Sequence, residues 1–223
     1  MKKNNNELKK AKTAVKYTLG EELISSISHG VGALLSIAAL VLCIVFSAIN
    51  HNGLGVIASS IYGSSLIILY LMSCLYHALK PNKAKKVFRI FDHCSIFLLI
   101  AGSYTPFLLI TIGGLKGIIM LTIIWIAAII GIIGNSISLE KFSKISFPLY
   151  IIMGWMILFS LKQLLENLAT PGLVLLLIGG IVYTVGAVLY LIGKKMKYMH
   201  SVWHFFVLGG SIFQFFTIFF YVI

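Results

Sequence analysis

Long apolar runs, each about 20 residues or more and nearly free of charge, follow one another along almost the whole chain. A helix pairs all its backbone polar groups internally, so a run of this kind crosses hydrocarbon as a helix. Turn-forming and charged clusters separate the runs: Asn50-His51-Asn52-Gly53, Lys80-Pro81-Asn82, Gly113-Gly114, Gly134-Asn135 and Thr170-Pro171-Gly172. The pattern predicts an all-α integral membrane protein, a seven-transmembrane helical bundle with helices at residues 24–49, 54–79, 88–112, 115–133, 145–165, 171–192 and 199–221. Residues 1–23 form a basic tail and residues 24–223 a single transmembrane domain. Pro106 predicts a kink in the third helix, and Pro148 marks the start of the fifth.

Charged residues are 11% of the chain against about a quarter in soluble proteins, and mean hydropathy is +1.00. The connections are too short to hold a soluble catalytic domain. The net charge of +12 does not point to nucleic acid, because the basic residues sit between apolar spans and form no stripe on a folded face. They act instead as orientation signals and contacts for anionic lipid. With a cytoplasmic N-terminus, the even-numbered connections and the tail hold all of the 18 Lys and Arg except Lys116 and Lys162. That bias predicts the N-terminus inside and the C-terminus outside. The basic start imitates a signal peptide, but the following run is too long and lacks a clean cleavage site, so an uncleaved first helix is expected. Small residues, among them Gly179-Gly180 and Gly209-Gly210-Ser211, predict close helix–helix approach.

Ionisable side chains inside apolar spans are costly, so the few present carry the functional signal. Asp92 is the sole aspartate and lies about one turn into the third helix. His77 ends the second helix, and His200 and His204 open the seventh. In this topology all four share one membrane level, just inside the cytoplasmic boundary. His200 and His204 are four apart and project from one helical face, as do Ser73 and His77. Three imidazoles from two helices can occupy three corners of a tetrahedron, with water at the fourth, as in a catalytic zinc site. Asp92 would accept a hydrogen bond from that water and take its proton, and Ser73 would hold the water or a substrate carbonyl. A proton relay or a structural polar network would use the same residues, and both alternatives stay open on sequence alone. His93 points about 100° from Asp92 and is read as a hydrogen-bonding residue behind the site or between helices. His29 is a further candidate lining residue, and His51 falls in an outer loop. Cys43, Cys74 and Cys94 show no CxxC spacing and are read as packed free thiols.

The same residues carry a family likeness. Glu21-Glu22 with Ser28-His29-Gly30, Ser73 to His77, Phe91-Asp92-His93 leading to Ala101 through Phe107, Gly154-Trp155, Gly180 to Thr184 and His200 to Phe205 together resemble the bacterial haemolysin III family. That family is grouped with the progestin and adipoQ receptors and, more distantly, the alkaline ceramidases. The resemblance spans all the predicted helices. It implies zinc held by His77, His200 and His204, with Asp92 at the water and Ser73 beside it, and an N-terminus inside. The expected function is a zinc-dependent hydrolase acting on a membrane lipid amide or ester. The alternatives are a non-enzymatic lipid sensor with a structural zinc site, and a cytolytic protein of the haemolysin type. The expected location is the bacterial inner (plasma) membrane, with membrane lipids as partners, no nucleic acid and no obligate protein partner.

Overall fold

The computed structural model describes residues 17–193 and 196–223, and among them every regular element is helical. The basic residues of the tail up to Lys16, and Lys194 and Lys195, lie outside the described residues. Helix α1 is Leu19–Ile49, α2 Gly53–Ala78 and α3 Lys83–Pro106. α4 is Gly114–Trp155, and a short α5, Leu161–Asn167, follows it. α6 is Thr170–Gly193 and α7 Met199–Tyr221.

Polar capping sets the helix starts, several residues before the apolar runs begin. Thr18 and Glu21 form a capping box, with the Glu21 N–H donating to Thr18 Oγ1 at 3.3 Å and the Thr18 N–H to Glu21 Oε2 at 2.7 Å. This starts α1 at Leu19 rather than at residue 24. Asn82 accepts the Lys85 N–H at 2.8 Å and starts α3 at Lys83 rather than 88. Hydropathy locates the hydrocarbon-facing stretch of a helix, whereas the helix itself runs to its cap. Past Pro106 the chain does not break but continues through a π-helical segment, Phe107–Ile112, wider winding that follows directly on a residue without an N–H. Gly113 and Gly114, with φ of +59° and +57°, then reverse the chain.

The largest departure from expectation lies between residues 114 and 167. The sequence predicts two helices with a loop at 134–144, whereas that stretch is helical except for Ser138 (φ −158°, ψ 92°). Six helices are long and apolar enough to cross a membrane among the described residues, because Gly114–Asn167 runs as one 54-residue helical segment. Straight, it would be about 80 Å long, far beyond the ~30 Å of hydrocarbon. It instead doubles back at Ser138. Lys116 Nζ reaches the Phe159 carbonyl at 2.9 Å and Gln163 Oε1 at 2.8 Å, and Ser160 Oγ donates to Met120 Sδ at 2.8 Å. Ser146 Oγ donates to Asn135 Oδ1 at 2.7 Å just below the reversal. No proline or glycine follows Gly134 before Pro148, so local propensity keeps the polar connection helical up to the one residue that turns it.

α1, α2 and α3 pack in sequence, α6 packs along α7, and α7 returns against α1, while α4 and α6 touch little. The exterior is apolar, and many hydroxyl side chains are buried beside the apolar core. Leu34, Ile37, Ile126, Ile133, Leu177 and Phe220 are exposed, and Ser25, Ser36, Ser59, Ser65, Thr105 and Thr217 are buried. Lipid is the solvent that accepts such an exterior. The interior is joined by hydroxyl bonds: Tyr70 of α2 donates to Ser211 Oγ at 2.6 Å, and the Tyr183 hydroxyl of α6 lies 2.8 Å from the same oxygen. Gly210 lies under the Tyr183 ring, an approach that a side chain at 210 would block.

Candidate metal centre

α2 ends where α7 begins, and the two bring His77, His200 and His204 together in the buried interior. His200 and His204 lie one turn apart on a single face of α7, turned toward the last turn of α2. His200 Nε2 is 3.3 Å from His77 Nε2 and 3.2 Å from His204 Nε2. One ligand atom from each of the three lies within 4.8 Å of the others, so the group could hold a metal ion. The donor set fits zinc. In a tetrahedron with Zn–N bonds of about 2.0–2.1 Å, neighbouring nitrogens are roughly 3.3–3.4 Å apart, close to the two spacings seen here. Without a cation to share, His200 Nε2 carries either one proton or one lone pair and can make a full N–H···N bond with only one of its two neighbours.

Several unpartnered polar atoms surround the cluster. Ser73 is one turn before His77, and its buried Oγ has no hydrogen-bond partner among the described residues. His204 Nδ1 and both ring nitrogens of buried His29 are likewise unpartnered. The His29 ring stacks on His204 with centroids 3.8 Å apart and meets Tyr70 edge-on at 5.0 Å. At the N-terminal end of α1, Tyr17 stacks on His200 at 4.4 Å, and burial raises its phenol pKa. Glu22 Oε2 sits 2.7 Å from His77 Nδ1, and Glu22 Oε1 is 2.7 Å from Lys85 Nζ.

Asp92 is buried on α3, outside the tight histidine triplet but on the wall of the cavity that also reaches His200, His29 and His93. Its Oδ2 is 3.6 Å from His93 Nδ1, which donates to the Arg89 carbonyl at 2.9 Å. The His93 carbonyl accepts the Tyr150 hydroxyl at 2.8 Å, so His93 ties α3 to the returning half of α4. The cavity measures about 190 Å³ as space open to the centre of a water molecule. It leads from the polar end past Ser103, Gly154, Trp155 and Thr184 to Gln214, and is mainly apolar. Gln214 is ten residues beyond His204 on α7, a rise of about 15 Å. None of the three thiols belongs to the histidine group: Cys94 Sγ donates to the Ile132 carbonyl, Cys74 Sγ lies beside Ser26, and Cys43 is buried elsewhere in α1.

Sequence reasoning placed His77, His200 and His204 at one level, and the structure brings them together. It assigned no role to Glu22 or Tyr17. The available signal was spacing: Glu22 and His29 are seven apart, two turns along one face of α1.

Fold and site together define a multi-pass, all-helical membrane protein with a buried tri-histidine cluster at one end of an apolar cavity. The family description Haemolysin-III related matches residues 17–215, and the chain belongs to that family. It is 48% identical over 203 residues to Hemolysin-3 of Bacillus cereus, covering 91% of this chain and 92% of that protein. The Hemolysin-3 homolog of Bacillus subtilis (strain 168) is 41% identical over 207 residues, covering 93% of this chain and 97% of the relative. The human Monocyte to macrophage differentiation factor is 28% identical over 172 residues, or 74% of this chain and 71% of that protein.

Proposed function

We propose that this chain is a zinc-dependent hydrolase of a membrane lipid amide or ester, embedded in the bacterial inner membrane. The observation that carries the reading is the approach of three histidine ring nitrogens to one another next to a mainly apolar cavity. When bound, zinc supplies Lewis acidity toward a carbonyl and toward water. His77, His200 and His204 hold the ion. Asp92, on the wall of the same cavity that His200 lines, takes the proton from the attacking water as general base. Ser73 Oγ, buried and unpartnered, donates to the substrate carbonyl oxygen. The apolar lining between α3, α4 and α6 orients one acyl chain and excludes bulk water.

The topology proposed with this reading has seven crossings. The reversal at Ser138 supports it, since each half of Gly114–Asn167 is long enough to span hydrocarbon. The N-terminus is cytoplasmic and the C-terminus outside, and the crowding of Lys80, Lys83, Lys85, Lys86 and Arg89 at the histidine end supports that orientation.

The test is turnover of fluorogenic long-chain acyl amides and esters by purified protein, with zinc content measured on the same sample. Loss of turnover in Asp92→Ala with zinc retained is the expected outcome, and unchanged turnover in that variant would sink the hydrolase. A second reading has one observation in its favour: the cluster joins α2 to α7, so zinc there could brace a non-enzymatic lipid sensor. In that case Asp92→Ala keeps full biological effect while the histidine variants lose stability. The names of the Bacillus relatives raise a third, cytolytic reading, which dye leakage from protein-loaded liposomes tests directly.

A further inference from the structure

α1 supplies none of the three clustered histidines, yet its N-terminal end touches every one of them. Glu22 meets His77, His29 stacks on His204, and Tyr17, just ahead of the Thr18 cap, stacks on His200. The helix is held in place by Ser201 of α7, whose Oγ donates to the Glu21 carbonyl at 3.1 Å and lies 3.1 Å from Ser25 Oγ.

Among these contacts the one from Glu22 has directional chemistry. A carboxylate only accepts, so the proton in the 2.7 Å bond sits on His77 Nδ1. A neutral imidazole protonated at Nδ1 presents its lone pair at Nε2, which is the atom facing His200. The two carboxylate oxygens are divided: Oε2 serves His77, and Oε1 accepts Lys85 Nζ at 2.7 Å. Lys85 is itself fixed, donating to the Leu79 carbonyl at 2.9 Å with its ammonium 5.0 Å from the Tyr76 ring centre. Glu22 cannot rotate away without breaking both bonds. The His77 side chain is 0% exposed and that of Glu22 18%, so water competes weakly for either.

We propose that Glu22 is the positioning residue of the metal centre: by accepting the His77 Nδ1–H it commits His77 Nε2 to the ion, with Lys85 clamping the carboxylate. The inference rests on the metal reading above. A plain ion pair joining α1 to α2 would contribute to fold stability and leave metal affinity alone.

The experiment uses full-length protein in nanodiscs, stripped of metal and titrated with Zn²⁺ against a chromophoric competitor chelator. Co²⁺ ligand-field spectra and the thermal midpoint of the metal-free protein are recorded beside it. Zinc binding is expected to weaken about 10–100-fold in E22A, less in E22Q, and to return toward wild type in E22D. The Co²⁺ bands shift in E22A, while the metal-free midpoint moves little and K85M loses less affinity than E22A. E22Q is isosteric and supplies the reading if E22A does not fold. Wild-type zinc affinity in both E22A and E22Q overturns the inference and leaves the metal reading standing. So does an affinity loss that K85M matches and that tracks a falling metal-free midpoint. A folded wild type that takes up neither Zn²⁺ nor Co²⁺ overturns the metal reading and this inference with it.

Discussion

His204 is fully buried, stacked on His29, and one helical turn from His200. Removing both α7 imidazoles from a three-nitrogen site leaves a single donor, too few for tight zinc binding. Elemental mass spectrometry should therefore find about one zinc per chain in the wild type and essentially none in His200→Ala/His204→Ala. Asp92→Ala should retain the metal, since its carboxylate lies outside the triplet. A residue of a different kind sits deeper in the bundle. Ser211 Oγ is shared by the hydroxyls of Tyr70 and Tyr183, joining α2, α6 and α7. Ser211→Ala would leave Tyr183 without that partner while Tyr70 keeps the Val207 carbonyl at 3.2 Å. The expected cost is about 1–3 kcal/mol, read as a lower thermal midpoint in detergent with zinc content unchanged. An unchanged midpoint would show that the shared oxygen contributes nothing.

At the scale of elements, the first turn of α1 and the wall of the cavity make separate predictions. Thr18 closes the capping box that starts α1 close to the histidine cluster. Thr18→Ala should destabilise the protein by about 1 kcal/mol, the usual cost of losing such a cap. Circular-dichroism melting checks this, with loss confined to stability if α1 stays docked. Gly154 lines the cavity, and a Cβ added there meets nothing within 4 Å, so Gly154→Leu starts its side chain in open space and takes up cavity volume. Turnover of long-chain acyl substrates should fall at least tenfold while short-chain substrates are spared and zinc stays bound, an effect of occupied volume rather than lost chemistry. Equal loss for both chain lengths would place the acyl chain elsewhere.

At the scale of the whole molecule, the apolar exterior and the basic histidine end make a topological prediction. Cysteine-accessibility or reporter fusions should place the loop at residues 80–83 inside and His51 outside, with the C-terminus also outside. A C-terminus on the same side as the tail would mean that Gly114–Asn167 does not cross twice. How far sequence could see differs by feature. Apolar runs locate membrane helices because transfer into hydrocarbon is summed over a helix residue by residue, and needs no knowledge of neighbours. The depth of His77, Asp92, His200 and His204 follows from the same sum, as does the shared face of the α7 pair. Helix ends were misplaced by up to five residues, since Thr18 and Asn82 cap polar turns to which hydropathy is blind. Sequence predicts a longer loop where the chain reverses at Ser138 for a related reason: one extended residue suffices to turn a chain whose flanks favour helix.

The sequence by itself thus determined that this chain lives in a membrane, roughly where its helices run, and that three histidines lie at one level. Only the tertiary structure decided that their Nε2 atoms converge, that Glu22, His29 and Tyr17 reach in from the N-terminal end of α1, and that an apolar cavity continues from the cluster toward Gln214. In lipid no hydrophobic force selects one lateral neighbour over another. Which helices meet, and which side chains then touch, depends on close contacts such as Gly210 beneath Tyr183 and on shared hydroxyl bonds such as those at Ser211. The contacts of Tyr183 with Gly210 and Ser211 join residues almost thirty positions apart, and those of Tyr70 with Val207 and Ser211 join residues more than a hundred apart, all beyond the reach of any local pattern.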